Sequence, residues 1–102
     1  VQRRIVFKIG VVYQTSHEML AELPGIIEDI IVKQDSARFD RAHFQSFGDY
    51  SLNFEIVYYV ESSDYKLYMD IQQAVNLEIV RRFAEAGIEF AYPTQTLFVD
   101  RD

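Results

Sequence analysis

The sequence predicts an α+β sandwich in the order strand, helix, strand, strand, helix, strand. Three observations carry this. Ile5 to Tyr13 and Leu52 to Val60 place apolar residues at every second position, the period of a strand. Leu20 to Ile31 and Leu67 to Ala86 place them three or four apart, the period of a helix. Between these runs fall turn-forming clusters, Gly48-Asp49 and Glu61-Ser62-Ser63-Asp64.

In the first strand Ile5, Phe7, Ile9, Val11 and Tyr13 make one wholly apolar face. Thr15-Ser16-His17-Glu18 then has the spacing of a capping box, in which a hydroxyl and a carboxylate each satisfy a free backbone amide. The stripe Leu20, Leu23, Ile27, Ile30, Ile31 extends the first helix to about Lys33. Pro24-Gly25 lies within it and predicts a kink or brief break, because proline removes an intrahelical bond.

Gln34 to Asp40 reads as a polar loop. Arg41 to Phe47 reads as a polar second strand with Ala42 and Phe44 on one side and Arg41, His43 and Gln45 on the other. Leu52 to Val60 pairs with it as a hairpin. Asp64 is placed to cap the second helix, and Gly87 falls where a left-handed C-cap residue is wanted. Ile88 to Ala91 supplies a short fourth strand.

This order is that of a ferredoxin-like split βαβ sandwich, an antiparallel sheet with both helices on one face. The two most apolar strands, the first and third, are expected at the centre as parallel neighbours. The polar second strand and the short fourth take the edges. Residues 1–92 form this domain and residues 93–102 a tail. Pro93 fixes its own φ and donates no hydrogen bond, so the apolar alternation Thr94, Gln95, Thr96, Leu97, Phe98, Val99 leaves the sheet and seeks partners, other copies of the chain foremost.

At 102 residues the chain is long enough for one core, burying about 65% of the surface its unfolded form exposes. It has no cysteine, which removes thiolate catalysis and zinc-thiolate sites. Its net charge of −6 opposes nucleic acid and direct contact with anionic membrane surfaces. No apolar run reaches the roughly 20 residues of a spanning helix, so this stretch is read as soluble. Its opening at Val1-Gln2-Arg3-Arg4, straight into a strand, reads as a piece of a longer protein.

No catalytic, cofactor-binding or metal constellation emerges, and an enzyme is not expected. The only histidines, His17 and His43, lack ligand-spaced partners, and Glu22, Glu28, Asp29, Glu78 and Glu85 read as a solvated face. Gly10 reads as a place where a neighbouring side chain packs. Phe54, Tyr58 and Tyr59 could form a base-stacking platform, but they lack the basic and glycine residues around them that RNA recognition needs. Val6, Val12, Val57 and Tyr59, with Lys8 and Glu55, make the sheet face away from the helices half apolar and a candidate interface.

Several stretches match a known family in their wording. Phe39-Asp40-Arg41-Ala42-His43-Phe44, Phe47-Gly48-Asp49-Tyr50-Ser51-Leu52, and Ala86-Gly87-Ile88-Glu89-Phe90 through Tyr92-Pro93-Thr94-Gln95-Thr96 resemble the C-terminal cytoplasmic domain of the small-conductance mechanosensitive channel (MscS-like) family, as does Gly10-Val11-Val12-Tyr13 with Thr15. Ala91 departs from the pattern, since relatives often carry proline there.

The resemblance implies a tension-gated channel that releases ions and small solutes on osmotic downshock. It implies transmembrane helices and a β-rich domain upstream, and a homo-oligomer, typically a heptamer, on the cytoplasmic side of the inner membrane. It gives this domain the wall of a cytoplasmic vestibule and makes Pro93, Thr94, Gln95, Thr96, Leu97, Phe98 and Val99 an oligomerisation strand in a small barrel. The alternative is a small-molecule-binding regulatory module of the same fold, with its ligand at a dimer interface of the first strand and first helix.

Overall fold

A computed structural model describes residues 2–91. The elements are β1 (Arg3–Val11), α1 (His17–Val32), β2 (Ala37–Phe47), β3 (Leu52–Val60) and α2 (Tyr65–Ala86). The three strands form one antiparallel sheet in the order β1-β3-β2. One core joins Ile5, Ile9 and Val11 of β1 and Phe54, Ile56, Tyr58 and Val60 of β3 to Leu23, Ile27, Ile30 and Ile31 of α1 and Ile71, Val75, Ile79 and Phe83 of α2. Both helices therefore cover the same sheet face.

β1 and β3 are neighbours as expected, but antiparallel, with Arg3 opposite Val60 and Val11 opposite Leu52. The chain order explains the direction. A crossover through α1 makes β1 and β2 parallel, and the hairpin reverses β3 against β2, so a β3 inserted between them must oppose both.

β2 starts four residues earlier than its alternation suggests, with Ala37 paired to Val60. Irregularities between Phe39 and Arg41 and between Phe44 and Ser46 add residues to β2 that have no partner on β3. Each shifts the parity, so the residues opposite the inward side chains of β3 are Ala37, Phe39, Ala42, Phe44 and Phe47. No single two-residue period can describe that series.

α1 is uninterrupted at Pro24. The lost backbone bond, worth about 3 kcal/mol in an exposed helix, is offset by the burial of Leu23, Ile27, Ile30 and Ile31 along the inner stripe. The capping box does not form. Ser16 is the N-cap and its Oγ accepts from the Met19 amide at 3.2 Å, while Thr15 donates its hydroxyl to the Val12 carbonyl at 2.7 Å.

α2 begins and ends as predicted. Asp64 caps it by accepting from the Lys66 and Leu67 amides at 2.9 and 3.4 Å, and Gly87 closes it at φ 79°. Past that cap the chain meets the outer edge of β1 in a single antiparallel bridge, Val11 to Phe90.

The two helix-associated glycines should respond in opposite directions. Gly25, mid-helix with open space where a Cβ would stand, should gain about 0.5–1 kcal/mol on replacement by alanine. Gly87→Ala places a side chain at positive φ and should lose about 1 kcal/mol. Urea denaturation of both variants measures this, and equal signs would contradict the assigned backbone at one of them.

Candidate interaction surfaces

Pro93 to Val99, the predicted oligomerisation strand, lies outside the described residues. What the structure does place is the root of that segment. The Ile88 amide donates to the Phe83 carbonyl at 2.9 Å, the Val12 amide to the Glu89 carbonyl at 3.1 Å, and the Ala91 amide to the Gly10 carbonyl at 3.0 Å. Phe90 stacks on Phe83, ring centroids 5.2 Å apart. Ile88 is buried. Residues 88–91 are thus held by backbone bonds on one side and apolar packing on the other.

The sheet face away from the helices is more basic than β1 and β3 alone suggest, because β2 completes each cross-strand row. Arg4, Tyr59 and Arg38 form one row, Val6, Val57 and Arg41 the next, and Lys8, Glu55 and His43 the third. Val57 is fully buried although it faces away from the core, with Val6 and Arg41 as its cross-strand neighbours. The Arg38 guanidinium lies over the Tyr59 ring at 4.4 Å and also bonds Glu61 and Gln2. A net charge of −6 concealed this face. Ser51 and Asn53 crowd Gly10, where a Cβ would stand 3.1 Å from that of Ser51.

Phe54 and Tyr58 point into the core and are fully buried, so with Tyr59 on the opposite face the three make no stacking platform. The Tyr58 hydroxyl donates to Gln72 Oε1 at 2.7 Å. Burial pushes its phenol above the ordinary value, with a smaller contribution from Tyr68. His17 and His43 are both exposed. Among the described residues no acidic or histidine cluster could hold a metal ion, and no helix is long and apolar enough to cross a membrane.

Two apolar areas lie at opposite sides of the domain. At the β2 edge, Phe44 and Phe47 touch at 5.1 Å, and Phe44 joins His17, Leu20, Ala21 and Pro24 around a shallow cavity of about 310 Å³. Phe47 is three-quarters exposed. Beside β1, a cavity of about 180 Å³ is walled by Phe7, Lys8, Ile9, Asn76, Ile79, Val80 and Phe90.

The family model described as "Mechanosensitive ion channel MscS, C-terminal" matches residues 3–90. The chain belongs to this family. The large-conductance mechanosensitive channel MscMJLR of Methanocaldococcus jannaschii is 38% identical over 99 residues, covering 92% of this chain and 27% of that protein. The small-conductance channel MscMJ of the same organism is 32% identical, covering 99% of this chain and 29% of that protein. The crystal structure of Helicobacter pylori MscS in a closed state aligns over 99% of this chain and 39% of that one, with TM-score 0.65 at 20% identity, and supports the fold. The chain thus spans less than a third of each of the two Methanocaldococcus proteins, and those relatives are channels rather than enzymes.

Within this MscS C-terminal domain the helices are joined by an ionic clamp that sequence spacing could not reveal. Asp29 of α1 accepts from Arg82 of α2, 53 positions away, at 2.9 Å, and from Lys33 at 3.1 Å. The Arg82 bond first, then Lys33, hold its carboxyl below the usual carboxylate range. A depressed folded-state pKa contributes stability that is complete above the ordinary carboxyl value of 3.8 and is lost as pH falls through the folded value. Asp29→Asn should therefore melt below the parent at neutral pH, and the two curves should converge in acid. Melting temperatures across that range check this, and a gap that persists in acid would assign the loss to packing.

Proposed function

We propose that this chain is the C-terminal cytoplasmic domain of a tension-gated channel, forming the wall of a vestibule and helping to hold the channel's oligomer together. The observation that carries the reading is the family match over residues 3–90, in a chain spanning less than a third of its channel relatives. The complete protein would add membrane-spanning and β-rich parts, lie in the inner membrane with this domain on the cytoplasmic side, and release ions and small solutes on osmotic downshock.

In this reading the bridge from Phe90 to Val11 begins a fourth strand beside β1. That strand completes the ferredoxin-like order 4-1-3-2, and Pro93 to Val99 continue into a small barrel shared by a homo-oligomer, a heptamer by resemblance. The domain's shape supports a ring. Phe44 and Phe47 lie on one side and Val80 and Leu77 on the other, all exposed, and contact between unlike faces builds a ring where the rotation between copies closes. A shared barrel also removes strand edges that a single tail would leave open.

The test compares masses in solution of the 102-residue chain and of one ending at Tyr92. The longer chain should form the higher oligomer, with a ring of seven as the specific expectation. Equal oligomers from both would remove the role given to Pro93 to Val99. A tail-independent dimer that tightens with a metabolite would instead favour a regulatory module.

A further inference from the structure

We propose that Phe47 of one copy inserts as a knob into the groove between α1 and α2 of a second copy, with the neighbouring Asp49 meeting Lys33 and Arg82 at the groove's rim. The contact deepens the oligomer reading and rests on it. Phe47 is three-quarters exposed yet well supported. Its ring lies 5.1 Å from that of Phe44, which stacks in turn on the fully buried Phe54 at 5.1 Å. The turn that follows is braced from two sides. The Gly48 amide donates to the Ser51 carbonyl at 2.7 Å, and the Tyr13 hydroxyl donates to the Gly48 carbonyl. Only glycine fits this closure, because a Cβ at Gly48 would stand 2.8 Å from Asn53 Nδ2. An exposed aromatic that is already ordered has little freedom to lose on binding, which is the property of an interface anchor.

The groove has the complementary character. Ile30, Ala74 and Leu77 line it with apolar surface, and its volume of about 370 Å³ leaves room for an aromatic ring. Leu77 is largely exposed there. Lys33 and Arg82 also line the groove and share the single carboxylate of Asp29, while Glu78 is tied to Arg81. The end of the groove at Lys33 and Arg82 is therefore positive. The hairpin supplies the opposite sign: Asp49 lies at its tip, and residues 44–65 contain no lysine, arginine or histidine. Such complementarity fixes which surface meets which and disfavours pairing of like with like.

The knob does not reach the groove of its own chain. Phe44 stands beside His17, the first residue of α1, whereas the groove opens at Lys33, just past the last. The helix between them is about 24 Å long. Knob and groove are thus filled only between copies, each copy giving one and receiving the other.

The chain ending at Tyr92 contains every core residue and reads this contact without the tail. In sedimentation equilibrium, Phe47→Ala and Leu77→Glu should each weaken its self-association by about tenfold or more. Both side chains are exposed, so the melting temperature of the monomer should stay unchanged. An equimolar mixture of the two variants should recover a complex of two copies and no more, one giving its intact knob and the other its intact groove. Asp49→Lys should weaken association, and adding Lys33→Glu should restore it.

A shorter chain that stays monomeric at every concentration, substitutions without effect, or a mixture that recovers nothing would each overturn this contact. An oligomeric 102-residue chain would then keep the oligomer reading in place, while a monomer at both lengths would remove the two together. Association of the shorter chain alone would give the groove to the longer chain's own tail and overturn the contact between copies.

Discussion

Everything in this domain depends on β3 filling the slot between β1 and β2. The crossover through α1 leaves those two strands parallel and one strand apart, and only a third strand can bond both. β3 does so along its length, and Phe54, Ile56, Tyr58 and Val60 are fully buried as a result. A residue such as Tyr58 is tolerated there because its hydroxyl donates a hydrogen bond to Gln72 of α2. An unpaired phenol at that depth would carry a desolvation penalty of about 1–3 kcal/mol. The same bond ties α2 to the central strand, so satisfying one polar atom also positions a helix.

With β3 in the middle, β1 and β2 become the edges, and each meets that exposure differently. β2 carries two irregularities and a run of charged and polar side chains, which roughen the edge against pairing with another chain. β1 is bonded near its C-terminal end by Glu89 and Ala91. The charges divide in the same geometry. α1 holds Glu18, Glu22, Glu28 and Asp29 and no lysine or arginine, while the opposite sheet face holds Arg4, Lys8, Arg38 and Arg41. Any solute passing this domain meets a field set by which layer it faces, and the net charge says little about it.

How much of this was legible in the sequence follows from the range of each interaction. β1, β3 and α2 were legible because one face of each is buried continuously, and that writes a constant period into the chain. The α2 caps were legible because Asp64 and Gly87 act within one turn. The first four residues of β2 leave no period in the sequence because its bulges break the alternation and because Ala37 and Phe39 owe their places to Val60 and Tyr58, some 20 positions away. The antiparallel direction of β1 against β3 is a matter of topology, which no residue type records. Thr15 and Ser16 are both capable caps, and which one serves depends on where β1 releases the chain. Of the candidate surfaces, the apolar side chains of β1 were visible, while the arginine rows and the clamp between Asp29 and Arg82 arise only when distant strands and helices come side by side.

The root of the tail shows how these ranges combine. Gly87 turns the chain back at positive φ, Ile88 enters the core while its amide closes on Phe83, and Phe90 lies against the same Phe83 and opposite Val11. Three residues after the helix cap the backbone has therefore lost most of its freedom, before any partner copy is involved. Ordering a residue costs about 1–2 kcal/mol in backbone entropy, and here folding of the domain itself meets that cost. The course of the backbone from Gly87 to Ala91 is thus set by α2 and β1 together, through bonds to Phe83, Gly10 and Val12.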